Sequence, residues 1–152
     1  NESRLSETAN GLESTNKIYS AISSDGLSFT QEAGVRFEHQ GVFDPDVELV
    51  NGTWYMYTGD VETNQVIVAT STDGLTFTEK GVAYSGGAVP DVWQEDGKWY
   101  LYLAGISLAT STDGLTFTAT STRFNDPEYQ VTADPSVVKL ANRSYLMFYK
   151  VK

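Results

Sequence analysis

Phe43-Asp44-Pro45-Asp46-Val47-Glu48-Leu49-Val50-Asn51-Gly52-Thr53-Trp54-Tyr55-Met56-Tyr57 is a stretch that this chain states three times. It returns as Val89-Pro90-Asp91-Val92-Trp93-Gln94-Glu95-Asp96-Gly97-Lys98-Trp99-Tyr100-Leu101-Tyr102, and again as Asp134-Pro135-Ser136-Val137-Val138-Lys139-Leu140-Ala141-Asn142-Arg143-Ser144-Tyr145-Leu146-Met147. The prolines fall at 45, 90 and 135, a period of 45 residues. A period of this size marks a repeat array, with four-stranded propeller blades a leading candidate. A second ladder, Ser/Thr-Asp-Gly-Leu-x-Phe, stands at Ser24–Phe29, Thr72–Phe77 and Thr112–Phe117.

The two ladders together define one unit. Its first strand covers about residues 46–50 and turns at Asn51-Gly52. The second covers about 53–59, the third about 65–71, and after an Asp73-Gly74 turn the fourth covers about 75–83. Asn-Gly and Asp-Gly between apolar runs signal tight hairpins because a type I′ turn needs positive φ. The next unit turns at Asp96-Gly97 and Asp113-Gly114, with a middle loop about five residues shorter. The second strands, Trp54-Tyr55-Met56-Tyr57 and Trp99-Tyr100-Leu101-Tyr102, are bulky at every position. A sheet with one wet face would alternate apolar and polar residues, so these strands belong to sheets covered on both faces. Glycine and β-branched residues interrupt every window long enough for a helix.

The expected fold is therefore all-β, built of four-stranded antiparallel blades. Residues 1–16 are polar and aperiodic and read as an arm or loop; residues 17–152 form a partial propeller of about three repeats. The chain opens with third and fourth strands (17–37) and closes with first and second strands (136–150). Two complete blades plus one composite blade made from the two termini are expected. Three blades fall short of the four to eight of closed propellers. Completion by a second copy of the chain, as a homodimer forming a six-bladed ring, would also cover exposed aromatic faces such as Trp54, Tyr57 and Tyr149.

Composition narrows the function. The chain has 152 residues, a net charge of −10 and a pI near 4.4. Such a surface repels nucleic acid and anionic membrane, since phosphate binding needs Lys and Arg. There is no cysteine, which removes disulfides, thiolate catalysis and zinc–thiolate sites. No apolar run approaches the ~20 residues of a membrane span, and no signal peptide is evident. A soluble protein is expected, secreted or periplasmic locations being compatible with it. No cofactor or metal-binding loop motif is present. Asn51-Gly52-Thr53 and Asn142-Arg143-Ser144 are glycosylation sequons that chance accounts for.

Asp134-Pro135-Ser136-Val137 followed by Tyr145-Leu146-Met147-Phe148-Tyr149 resembles the blade-opening motif of the five-bladed glycosidases, the arabinanase, β-xylosidase and invertase-like enzymes. Phe43-Asp44-Pro45-Asp46-Val47 resembles the same motif, and Val89-Pro90-Asp91-Val92 with Gly97-Lys98-Trp99-Tyr100-Leu101-Tyr102 resembles a neighbouring blade. The resemblance covers about residues 17–152. It implies a general base and a pKa-tuning carboxylate at Asp-Pro motifs, hence Asp44 and Asp134 as candidate catalytic residues. Two carboxyls with separated pKa values are what glycoside hydrolysis requires. The general acid of those enzymes lies in a Glu-Gly-Pro-like motif, and this chain has none.

Asp46 and Asp91, one column over from Asp44 and Asp134, are candidate substrate-binding residues with Trp93, and a carbohydrate is the expected ligand. Asp before Pro also caps loops by accepting backbone hydrogen bonds, a competing structural role for Asp44 and Asp134. The Asp25, Asp73 and Asp113 turns resemble sialidase Asp boxes, which are structural hairpin devices. His39 is the only histidine and reads as a rim residue. Three functions follow: a carbohydrate-related propeller unit without catalysis of its own, a structural remnant or assembly module with no activity, and a fragment of an active glycoside hydrolase.

Overall fold

A computed structural model describes residues 15–60 and 62–152. The described chain is all strand: β1 (Thr15–Ile18), β2 (Ala21–Ile22), β3 (Thr30–Gln31), β4 (Phe37–Gln40), β5 (Val42–Val50), β6 (Thr53–Asp60), β7 (Gln65–Ser71), β8 (Thr78–Ser85), β9 (Asp91–Glu95), β10 (Lys98–Leu103), β11 (Ser107–Ser111), β12 (Thr118–Arg123), β13 (Thr132–Lys139) and β14 (Tyr145–Val151). Two complete blades are present, β5-β6-β7-β8 and β9-β10-β11-β12, each antiparallel and in sequence order.

The terminal strands form separate sheets. β1 pairs with β4 and β2 with β3, a bent N-terminal half-blade of third- and fourth-strand type. β13 pairs with β14 alone, a C-terminal half-blade of first- and second-strand type. The composite blade expected from the termini is therefore not assembled within one chain. The physical reason is packing: β1 lies beside β5 on one flank, and β13 lies beside β9 and β10 on the other. Two complete blades thus separate the two half-blades. Thr15 and Asn16, placed in the polar arm by sequence, belong to β1 and pair with Gln40 and His39; the rest of that arm lies outside the described residues.

Both faces of the first complete blade are packed, as its bulky second strand required. One face of the first blade gives Tyr57, Val66, Val68 and Ala83 to a core shared with Val92, Trp99, Leu101 and Phe117 of the second. Its other face gives Met56, Ile67 and Ala69 to a core with Phe37 of the N-terminal half-blade. Adjacent residues of one strand thus serve two cores, the period of two that a pleated strand imposes. Tyr57, expected on an exposed end, is instead fully buried between the complete blades. Its ring meets Phe117 edge-on at 5.8 Å, and its hydroxyl donates to the Gly114 carbonyl at 2.7 Å. Trp54 is half-buried, with Gly74 packed directly against its indole.

The hairpins divide into two kinds. Asn51-Gly52 and Asp96-Gly97 place both central residues at positive φ, as a type I′ turn demands. At the Asp-Gly turns of the second ladder only the glycine has positive φ. These are longer loops organised by side chains. Asp73 Oδ1 accepts the amides of Leu75 and Thr76 at 2.8 and 2.9 Å, while Ser71 Oγ accepts the Gly74 amide at 3.0 Å. Asp25 and Asp113 repeat the arrangement. The Ser71 hydroxyl and then these amides hold Asp73 at a pKa of about 2; the amides together with Ser23 hold Asp25 at about 2, and the amides together with Ser111 lower Asp113.

Candidate functional site

The innermost strands β5, β9 and β13 adjoin one another, so their residues are the ones that line a propeller axis. Asp46 on β5 and Asp91 on β9 occupy the same repeat column. Asp46 Oδ2 accepts the amide of Val92 at 2.5 Å, and Asp91 Oδ2 accepts the amide of Val137 at 3.0 Å. Each carboxylate therefore ties its own blade to the first strand of the next. Glu48 follows Asp46 by two residues, which the strand period places on the same face.

The three carboxyls form one electrostatic group. Burial raises the pKa of Asp46 against the opposing effect of its hydrogen bonds. Burial also raises Asp91, to about 6, with the Asp46 charge adding to the shift. Glu48 is raised by burial and then by the charges of Asp46 and Asp91. Each feels the others because water is partly excluded between the blades. Tyr102 is raised by burial and by Asp91, which places its phenol beside the same group. Glu48 and Tyr102 were not singled out in the sequence. The signal for Glu48 was available, two residues from Asp46 on a strand.

Asp44 and Asp134 do not join this group. Asp44 is exposed, with φ of 47°, and Asp134 is exposed, with φ of 52°, and pairs with Lys150. Both lie in a register shift of the first strand, between Phe43 and Asp46 and between Ala133 and Ser136. Val89, in the same column, has φ of 59°. The column before the repeat proline is thus a left-handed position in every unit. Aspartate tolerates that conformation far better than a β-branched residue, so the Asp-Pro motif has a backbone reason to exist.

Trp93 is engaged by protein rather than open. It stacks on Tyr100 at 4.2 Å and 9° and lies against Tyr145 at 5.1 Å. Tyr145 in turn donates to Glu95, which also pairs with Lys139. Trp93 therefore helps to fix the joint between the second blade and the C-terminal half-blade. Its Nε1 is buried without a partner among the described residues. His39 stacks on Phe37, with Nδ1 2.7 Å from the Gln40 carbonyl, remote from the axial carboxyls in the fold as an outer-strand residue. Among the described residues no cluster of His, Cys, Asp and Glu has the geometry of a metal site. No helix among them is long and apolar enough to cross a membrane.

Solved structures with a similar strand arrangement include glycoside hydrolases. A GH130 enzyme, from a family of mannoside phosphorylases that contains hydrolases targeting β-1,2 mannosidic linkages in Candida mannan, matches with a TM-score of 0.72 and 18% identity. It covers 90% of this chain and 51% of its own. The fold is that of the glycoside-hydrolase propellers. A thermostable family-43 glycoside hydrolase matches at TM-score 0.64 and 19% identity, covering 72% of this chain and 41% of that one. The endo-arabinase of Bacteroides thetaiotaomicron VPI-5482 matches at 0.61 and 17%, covering 70% and 44%. This chain thus spans about half or less of the propellers it matches, and at these identities the likeness is one of fold. No protein-family model matches the chain, and no curated protein does.

Proposed function

We propose that the chain is a carbohydrate-related propeller unit that binds sugar hydroxyls at its axial carboxyls, Asp46, Asp91 and Glu48, without hydrolysing them on its own. The observation that carries this reading is the gathering of three partly buried carboxyls with raised pKa values where the inner strands meet. Ionised carboxylates accept two hydroxyl hydrogen bonds from a vicinal diol, and a protonated one can also donate. Likeness to propellers crystallised with xylotriose supports a sugar as the ligand class. The partner proposed besides a carbohydrate is a second copy of the chain.

The test is calorimetric titration of xylo-, arabino- and β-1,2-manno-oligosaccharides into the chain, with Asp91→Asn and Asp46→Asn variants. Binding of one series, weakened at least tenfold in each variant while the folded spectrum persists, is the expected result. Absence of binding to all three series would sink the reading and favour a structural module.

A second reading is that the chain is part of a larger hydrolase in which Asp44 and Asp134 act as base and pKa modulator. The observation favouring it is that the chain spans only 41–51% of the hydrolases just described. It predicts no turnover of aryl glycosides by this chain alone, and turnover when blades carrying a Glu-x-Pro motif are added.

A further inference from the structure

The two complete blades meet through three latches. The Val92 amide donates to Asp46, the Tyr57 hydroxyl donates to the Gly114 carbonyl, and the Phe117 amide donates to the Ala83 carbonyl at 2.9 Å. At the joint between the second blade and the C-terminal half-blade, the inner one of these three latches is present, from the Val137 amide to Asp91, beside the Gly105 amide's bond to the Thr132 carbonyl and the contacts of Glu95 with Tyr145 and Lys139. Tyr102, in the column of Tyr57, lacks the glycine carbonyl that an outer half-blade would bring. At the joint between the N-terminal half-blade and the first blade, the outer one of the three latches is present, from the Phe77 amide to the Arg36 carbonyl at 3.3 Å, beside side-chain bonds from Asn16 to the Val42 carbonyl and from Arg36 to the Leu75 carbonyl.

Each open end carries what the other lacks. The N-terminal half-blade offers Gly26 and Phe29, the counterparts of Gly114 and Phe117. Phe29 is 64% exposed where Phe117 is 6%, and nothing lies within 4 Å of a Cβ placed on Gly26. Between that half-blade and the first blade, an apolar cavity of about 250 Å³ is lined by residues including Tyr19, Val47, Trp54 and Met56. The C-terminal hairpin is a pair of inner strands, and its Val138, Leu146 and Phe148 are 47%, 43% and 65% exposed.

The repeats fix how the two would pair. Met56 faces Ala69 in the first blade and Leu101 faces Ala109 in the second. The corresponding residues of the half-blades are Leu146 and Ala21. We infer that a second copy of this chain closes the ring by pairing its β14 with β2 of the first copy, in the register Leu146↔Ala21, so that two chains form six blades around shared axial carboxyls. Tyr102 of the second blade then reaches the partner's Gly26, and Ser136, in the column of Asp46 and Asp91, reaches the partner's Val47 amide. Met147 stands in the column of Tyr57 and Tyr102 and cannot donate, so that joint closes with two latches.

The inference rests on the self-association already proposed and adds its register. Because the chain has no cysteine, introduced thiols report on one contact only, and paired strand positions lie within disulfide reach. Ala21→Cys and Leu146→Cys single variants, mixed and oxidised, are expected to form a covalent heterodimer. An Ala21→Cys with Phe148→Cys mixture, two residues out of register, is expected to give at least fivefold less. Light scattering of the unmodified chain is expected to report twice 16.7 kDa. Tyr102→Phe is expected to weaken the dimer about fivefold, the value of one hydrogen bond. A dimer mass without the Ala21–Leu146 cross-link overturns the register and leaves self-association standing. A monomer mass overturns both. Neither result bears on sugar binding by the titration.

Discussion

The chain carries two sets of repeated aspartates that behave in opposite ways. Asp25, Asp73 and Asp113, in the outer hairpins, accept backbone amides, and these hydrogen bonds lower their pKa. Asp46 and Asp91, on the inner strands, each accept an inter-blade amide as well, yet burial outweighs it and their pKa rises. Hydrogen bonding in water-exposed turns stabilises the ionised form; removal of water between blades penalises it. One residue type therefore carries a stabilised charge at the rim and a charge penalised by burial at the axis.

The largest effect that would break this contrast is Asp113→Ala. Its loop carries Gly114, held by Tyr57, and Phe117, buried between the blades. Loss of the carboxylate that accepts the Leu115 and Thr116 amides should cost about 1 to 2 kcal/mol, read as a lower midpoint of denaturant unfolding. Asp25→Ala, in a loop whose Phe29 is exposed, should cost distinctly less. Equal losses would mean that the outer loops are self-contained and contribute nothing to the joints.

Acid titration should separate the two sets next. The native pKa of Asp91 is raised to about 6 from the ordinary 3.8, so the folded state binds its proton more tightly than the unfolded chain does. Its destabilising effect is fully present above pH 6 and vanishes below about pH 3.8, so stability should rise as pH falls through that window. The lowered pKa of Asp113 acts in the other direction, its stabilisation being lost as pH falls below the ordinary carboxylate range. Asp91→Asn should therefore stabilise the fold at pH 7, by roughly 1 to 2 kcal/mol after allowance for partial exposure, and not at pH 3.5. A gain that is the same at both pH values would contradict the assignment to Asp91.

The smallest effect sharpens the reading of the Asp-Pro column. Val89 holds φ of 59°, where its neighbours in the repeat are Asp44 and Asp134. Val89→Asn should stabilise by about 0.5 to 1 kcal/mol, since asparagine tolerates the left-handed region that a β-branched residue does not. Destabilisation would show that Val89 contributes apolar contact worth more than its backbone strain.

Most of the architecture was legible in the sequence because repetition repeats the physics. Two ladders of turn residues located the strands of both complete blades, and Trp54 to Tyr57, bulky on both faces, announced sheets packed on both sides. Strand type alone could not show that the two ends stay apart within one chain, because it does not tell which flank each half-blade packs against. Nor did it show that Tyr57 is buried between the complete blades. The placement of the candidate residues was half legible. The shared column of Asp46 and Asp91 could be read from spacing, whereas the left-handed backbone at Asp44 and Asp134 could not. Nor could composition reveal that the ring of Trp93 packs with Tyr100 and Tyr145.

The most direct measurement is amide and side-chain nuclear magnetic resonance of the chain during titration with the oligosaccharide series that binds. The account predicts the largest shifts at Asp46, Glu48 and Asp91 and at the Val92 and Val137 amides they hold, with Asp25, Asp73 and Asp113 unmoved. Shifts centred on the outer hairpins, with the axial residues silent, would contradict it.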